Sequence, residues 1–316
     1  MKTHVQQHYV PQFYLKRFSI RRKSGFKIRC FNKETEKTYM ANITQVGMEN
    51  YFYDKRAPPK IENLFSKKEE EHSAIYHKIV ENKSIKNLSS SEKYSICEYI
   101  FYQNERTRSS RERNRQVVRA VYEKLESEGY RPFKDFPPEY QEWLLESRAE
   151  MAQINILFNE FVDDNGDIQS PVEIIQYITD LGWCLTKNDL SMEFYSSDHP
   201  IVIYNPIYKG NEIIGFGSVS YRAEGVEIYF PLEPRLCLIL YDKKRSEYRK
   251  VKPERLVIKG ELDWLNTQII AMAHRTVFTK TNDFQFVKNR LTEYPELKNP
   301  NRNRIFEYDL DDFSLD

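Results

Sequence analysis

No apolar run in this chain is long. "IVIY" at 201–204 and "LCLILY" at 236–241 are among the longest, far short of a membrane-spanning helix. The opening "MKTHVQQHYV" lacks the apolar segment of a secretory signal. Net charge is also missing, since 48 Lys and Arg oppose 47 Asp and Glu for a formal +1. No global field therefore draws the molecule to nucleic acid or to an anionic membrane, and any such attraction must be local. Cysteine is scarce: Cys30, Cys97, Cys184 and Cys237 lie too far apart for a zinc knuckle or a disulfide-dense scaffold. G-x-S-x-G, a Walker loop, a dinucleotide fingerprint and H-E-x-x-H are all absent. The expectation is a reduced, cytoplasmic protein with no membrane partner, whose chemistry belongs to no standard motif.

Aromatic residues are plentiful, with 22 tyrosines and 19 phenylalanines. Leaving out tyrosine and adding glycine, apolar residues make up roughly 36% of the chain, below the roughly 45–50% of globular domains. Aromatic rings fill that deficit, and tyrosine does so while keeping a polar tip. The chain is expected to fold, and its 316 residues suit one domain better than two.

Alternating stretches at 26–31 and 37–43 around "NKETE" predict a hairpin. Helical spacing follows from about 59 to 83. A capping box, Ser89 with Glu92, then opens a long helix expected to run from Ser90 to Glu128 and to stop at Gly129. Helices are further expected at 138–162 and, capped by Ser170 with Glu173, at 170–180. Beyond 180, "GWCLTK", "MEFYSS", "PIVIYN", "VEIYFPL" and "RLCLILYD" are short alternating or apolar runs between turn residues, the pattern of an antiparallel sheet. A helix at 261–274 and the strand "RTVFTK" close the core. Strands segregated from helices predict an α+β fold with a mainly α-helical layer or lobe over an antiparallel sheet. Residues 1–316 form one expected domain, divided into an opening helix and hairpin (1–58), a helical lobe (59–180) and a sheet-rich part (181–316).

The long helix carries the first functional signal. Its stripe Ile96, Ile100, Gln103, Thr107, Ser110, Asn114, Val117, Val121, Leu125 is apolar at both ends and polar for four positions between. A helix lying on a core stays apolar along its stripe, so the middle faces either solvent or a polar cavity. Beside it Arg108, Arg111, Arg115 and Arg119 form a continuous row. They are either a solvated face paired with acids or a contact for phosphates without sequence specificity.

Two further residues stand out. His8 lies just before Val10, Pro11 and the expected helix 11–18, with Val10, Tyr14 and Phe18 sharing the buried side; a helix N-terminus there favours a neutral ring able to act as base or ligand. Asp198 ends the strand "MEFYSS" at a turn. It either organises that turn through backbone amides or serves a site as carboxylate.

Four stretches, "HYVPQFYLKRF" (8–18), "YQNERTRSSR" (102–111), "SSDHPIVIY" (196–204) and "YFPLEPRLCLILY" (229–241), make the chain resemble the bacterial family catalogued as domain of unknown function 4238. The resemblance matches His8, Gln103, Arg106, Ser197 and Asp198 to the family's polar signatures. It departs at His199, where the family commonly has asparagine. It implies a single domain built around these signatures and supplies no reaction.

From these residues the leading expectation is a metal-assisted or histidine-based phosphodiesterase, a nuclease or nucleotide-cleaving effector of a bacterial defence or toxin module. His8 and Asp198 would be catalytic, Gln12, Gln103 and Arg106 would hold substrate, and the arginine row would hold nucleic acid. Whether a divalent metal such as magnesium takes part is open. A non-catalytic protein binding a nucleotide or a protein partner is the alternative, and an NAD- or nucleotide-modifying enzyme is a third. As catalytic groups at a helix edge and in a turn, His8 and Asp198 should be replaceable at little cost to folding.

Overall fold

The computed structural model describes residues 6–52, 60–129, 136–158, 161–162, 168–169, 171–207 and 220–304. In chain order the elements are β1 (Gln6–His8), α1 (Gln12–Leu15), β2 (Ser19–Arg22), β3 (Gly25–Asn32), β4 (Thr38–Asn42) and β5 (Met48–Asn50), then α2 (Lys60–Asn82), α3 (Ser90–Glu105), α4 (Arg108–Ser127) and α5 (Pro138–Phe158). The short strands β6 (Phe161–Val162) and β7 (Ile168–Gln169) precede α6 (Pro171–Asp180). The rest comprises β8 (Gly182–Lys187), β9 (Ser196–Ser197), β10 (Val202–Tyr204), β11 (Glu227–Glu233), β12 (Leu236–Tyr241), β13 (Glu254–Leu256), α7 (Lys259–Met272), β14 (Thr276–Thr279) and α8 (Gln285–Glu293).

The fold is α+β. One sheet has the order β10-β11-β12-β8-β13, antiparallel except for the parallel pair β13–β8. The other has the order β2-β3-β14-β9, with β4 paired on β3. The hairpin β3–β4 thus shares a sheet with strands more than 150 residues away: Phe31 stands opposite Val277, which in turn stands opposite Ser197. Two strands alone are marginal in water, and this pairing supplies the rest of a sheet.

Side chains alternate between the two faces of both sheets. Ile228, Phe230, Leu236, Leu238 and Leu240 face a core shared with α2, α3 and α6. Tyr229, Cys237, Ile239 and Val277 face a second core, under α7 and α8. Helices therefore cover both faces rather than one. That is why β12 reads as an unbroken apolar run, since a strand buried on both sides needs no polar alternation.

Tyrosines sit deep in the first core and each needs a hydrogen bond there. The Tyr14 hydroxyl donates to the Pro231 carbonyl at 2.9 Å and lies 2.7 Å from Ser196 Oγ, and Tyr76 donates to the Leu232 carbonyl. Val10, Tyr14 and Phe18 are fully buried, as their spacing requires. The opening helix is shorter than 11–18: Pro11 is its N-cap, α1 covers four residues and a 3-10 turn continues to Phe18. His8, expected at the helix N-terminus, instead ends β1, opposite Met48 of β5, three residues before the N-cap. The backbone passes very close to Gly47, whose φ is +60° and where a Cβ would lie 2.8 Å from that of Val10, so only glycine fits.

The capping box at Ser89 and Glu92 is present, whereas Ser170 lies outside the described residues. The long helix is not one helix. It breaks at Arg106, and Thr107 caps a new helix by accepting a hydrogen bond from the Ser110 amide at 3.2 Å. Residues 161–162 pair as a strand with 168–169 instead of prolonging α5.

Candidate functional site

The break between α3 and α4 is lined with polar side chains, and all of them are buried. Gln103, Thr107, Ser110 and Asn114 expose between 0% and 6% of their surface, so the polar stretch of the stripe turns into the interior. Gln153 of α5 ties the two helices together. Its amide donates to the carbonyls of Glu105 and Thr107, and its oxygen accepts from Arg111 Nε. Glu105 anchors the end of α3: its carboxylate accepts from Asn104, Ser110, Arg113 and the Tyr221 hydroxyl.

On one side of the break stand His8, Gln103 and Arg106. Gln103 donates to the Tyr9 carbonyl at 2.9 Å, and its oxygen accepts from both Nε and Nη2 of Arg106. Arg106 is 1% exposed, donates from Nη1 to Glu69 at 2.8 Å and lies over the Phe65 ring. Its fork is thus occupied by protein groups, the satisfied form of a buried guanidinium. His8 lies within electrostatic reach of Glu69 and Arg106; burial, more than any charge, lowers its proton affinity, although Glu69 opposes this. Neutrality therefore comes from desolvation rather than from a helix dipole. Its Nε2 is buried and has no hydrogen-bond partner. Gln12 is half-buried at the start of α1.

Among the described residues no hydrogen bond joins His8 to Asp198. One of its oxygens accepts from the His274 amide at 2.8 Å, the other from the amides of Arg275 and Thr276 at 2.8 and 2.9 Å. These bonds clamp the turn between α7 and β14. Burial pushes the carboxyl above its usual range, while the three amides and Lys33 pull it down. The geometry is that of a turn organiser, one of the two roles the sequence left open.

Three of the four arginines of the row line a cavity of about 330 Å³ bounded by α4, α5 and the turn after α7. Arg108, Arg111, Arg115, Arg275 and His274 contribute to its wall, as do Glu49, Glu112, Glu146 and Glu150. Arg108 pairs with Glu49 at 2.6 Å and Arg115 with Glu112 and Glu142; Arg111 donates to Gln153 and the Phe52 carbonyl, its guanidinium 3.7 Å from the Phe52 ring centre. Arg119, beyond the cavity, pairs with Glu142 at 2.7 Å.

Sequence reasoning passed over Glu69, Arg275, Arg302 and Arg304. The tail "NPNRNRIF" has no periodicity that marks its arginines as buried, yet Arg302 and Arg304 are each 6% exposed. The helix expected at 261–274 ends at Met272, so His274 stands in the turn beyond α7. Among the described residues no three His, Cys, Asp or Glu side chains are grouped as a metal ion requires, and no described helix is long and apolar enough to cross a membrane.

A broken helix with a buried polar seam, set on a two-sheet α+β scaffold, defines the structural class. The chain belongs to the family described as a protein of unknown function, DUF4238, whose model matches residues 6–283. That span holds His8, Gln103, Arg106, Asp198 and the cavity arginines, and it stops short of Arg302 and Arg304. No curated protein and no solved structure matches the chain.

Proposed function

We propose that the protein binds a phosphate-bearing ligand, a nucleotide or a nucleotide unit of nucleic acid, in the cavity between α4, α5 and the turn after α7. The observation that supports this is the placement of Arg108, Arg111 and Arg115 in one concave wall with Arg275 and His274. Guanidinium forks suit phosphate oxygens, and the volume falls in the range of small-ligand pockets. Glu49, Glu112 and Glu142 hold Arg108 and Arg115 in place in the free protein, and an incoming phosphate exchanges for them. Equilibrium binding of AMP, ATP and a short single-stranded oligonucleotide tests the reading. Changing Arg108 and Arg115 together to glutamine should weaken binding at least tenfold and flatten its salt dependence by up to roughly two units of slope. Binding unaffected by that change returns the row to a face satisfied by its own acids.

A second reading, histidine-based phosphodiester cleavage, draws support from His8, a half-buried imidazole whose proton affinity is lowered by desolvation and whose Nε2 is unpartnered among the described residues. A general base needs that state. Incubating the bound nucleotides and oligonucleotide with the protein, with magnesium, manganese or a chelator, tests it. Cleavage lost on the order of a hundredfold in His8→Ala supports the enzyme; binding without cleavage in the parent leaves the binding protein.

A further inference from the structure

Lys33, Arg302 and Arg304 are buried, and none has an ion pair among the described residues. Lys33 is fully buried, and its ammonium donates to the carbonyls of Ile270 and Ala273 at 2.7 Å each. Arg304 donates from Nη1 to Ser109 Oγ at 2.7 Å and from Nη2 to the Pro300 carbonyl at 3.1 Å, which leaves Nε without a partner. Arg302 donates from Nη1 to the Asn299 carbonyl at 3.3 Å, which leaves Nη2 without one. Lysine can shed its proton when buried, but arginine cannot. Two guanidinium charges therefore stay inside the protein. The carboxylate they share is Asp198, whose oxygens are already taken by three amides.

The segment that carries these arginines is pinned in place. The Arg304 amide donates to Gln116 Oε1 at 2.7 Å, and Gln116 Nε2 returns a bond to the Arg302 carbonyl at 2.9 Å. Two histidines complete the surroundings. His199, 2% exposed, has Nδ1 2.5 Å from Thr107 Oγ1 and an unpartnered Nε2; His274 has an unpartnered Nδ1. Arg304 is the common neighbour: its charge acts on His199, His274, Lys33 and Arg302 alike. Buried charges are normally paired, and buried polar atoms normally bonded. Here the unmatched sign is positive, and four side-chain nitrogens are left over.

We infer that Arg302, Arg304, His199 and His274 enclose a site for one phosphate group, either free orthophosphate or the terminal phosphate of a nucleotide whose remainder occupies the arginine-lined cavity. His274 also lines the arginine-walled cavity, so the inferred site adjoins that cavity at His274. The nucleotide arm rests on the function proposed above; the phosphate site itself does not. An oxyanion there supplies the missing countercharge and accepts from Arg304 Nε and Arg302 Nη2.

Calorimetry and thermal melts of the full chain with inorganic phosphate, AMP and adenosine test this. Phosphate should bind and raise the melting temperature, AMP should bind at least tenfold more tightly than phosphate, and adenosine should not bind. Arg304→Gln and His199→Gln should each weaken phosphate at least tenfold, while Arg115→Gln, on the cavity wall, should weaken AMP and leave phosphate unchanged. Phosphate bound without AMP keeps the phosphate site and ends the nucleotide reading. AMP bound equally by the parent and by Arg304→Gln ends the phosphate site and keeps the nucleotide reading. Neither heat nor a melting shift in the parent protein at 10-fold millimolar excess of phosphate overturns the site without recourse to any variant.

Discussion

Replacing Asp198 by asparagine tests the turn that positions His274 and Arg275. The carboxylate now accepts three backbone amides, one on Oδ1 and two on Oδ2. Asparagine can point its single oxygen at the Arg275 and Thr276 amides, but its NH2 then faces the His274 amide, donor against donor. One buried N–H goes unpaired, at a cost of about 1–3 kcal/mol, and the two bonds that survive change from charge-assisted to neutral, at about 1 kcal/mol each. Lys33, Arg302 and Arg304 also lose their buried countercharge. The expected destabilisation is about 3–5 kcal/mol, a large share of the ~5–15 kcal/mol that native domains possess. With an unfolding entropy of about 2.1 cal/mol/K per residue, a chain of this length should melt about 5–8 °C lower. Urea denaturation with an unchanged m-value, beside thermal melts, measures this. A variant that melts within a degree of the parent but loses ligand turnover would refute the reasoning and return Asp198 to chemistry, the role in which folding was expected to be indifferent to it.

Thr107→Ala removes at once the cap of α4 and the partner of His199 Nδ1, so a loss of about 2–4 kcal/mol is expected in denaturant titrations, with Thr107→Ser recovering most of it. If serine does no better than alanine, the hydroxyl is not the group that matters. Acid should also destabilise the fold. His199 lies well below its ordinary value and His274 is pushed down to about 2, in both cases first by burial and then by Arg304, with Arg113 and Arg302 adding on His199 and Arg108, Arg275 and Lys33 on His274. The unfolded chain therefore takes up these protons first, and stability falls as pH drops below about 6.5. Each histidine costs roughly 1.4 kcal/mol between pH 7.5 and 5.5. Asp198, pushed up by burial, works in the opposite sense, so the informative quantity is the difference from His199→Gln, whose stability should fall about 1.4 kcal/mol less over that interval. Parallel pH profiles for the two proteins would show that His199 is not held neutral.

Local chemistry alone determined several features of this protein. The Ser89–Glu92 capping box, the spacing of Val10, Tyr14 and Phe18, and the alternation around "NKETE" each act within a few residues, and each appears in the fold where its pattern places it. The polar stripe of Gln103, Thr107, Ser110 and Asn114 was legible as an anomaly for the same reason. Its meaning was not, because a cap and a mid-helix threonine look alike until Gln153, His199 and Glu105 close around the break. Tertiary structure alone decided which face that stripe met, since burial depends on what packs opposite. It also tied the Asp198 carboxylate to the amides of His274, Arg275 and Thr276, partners that lie more than 70 residues along the chain. Arg302 and Arg304 are the extreme case. Nothing within the tail distinguishes them from solvated arginines, and they become buried charges only because Gln116 and Ser109, 188 and 195 residues before Arg304, hold the segment against α4.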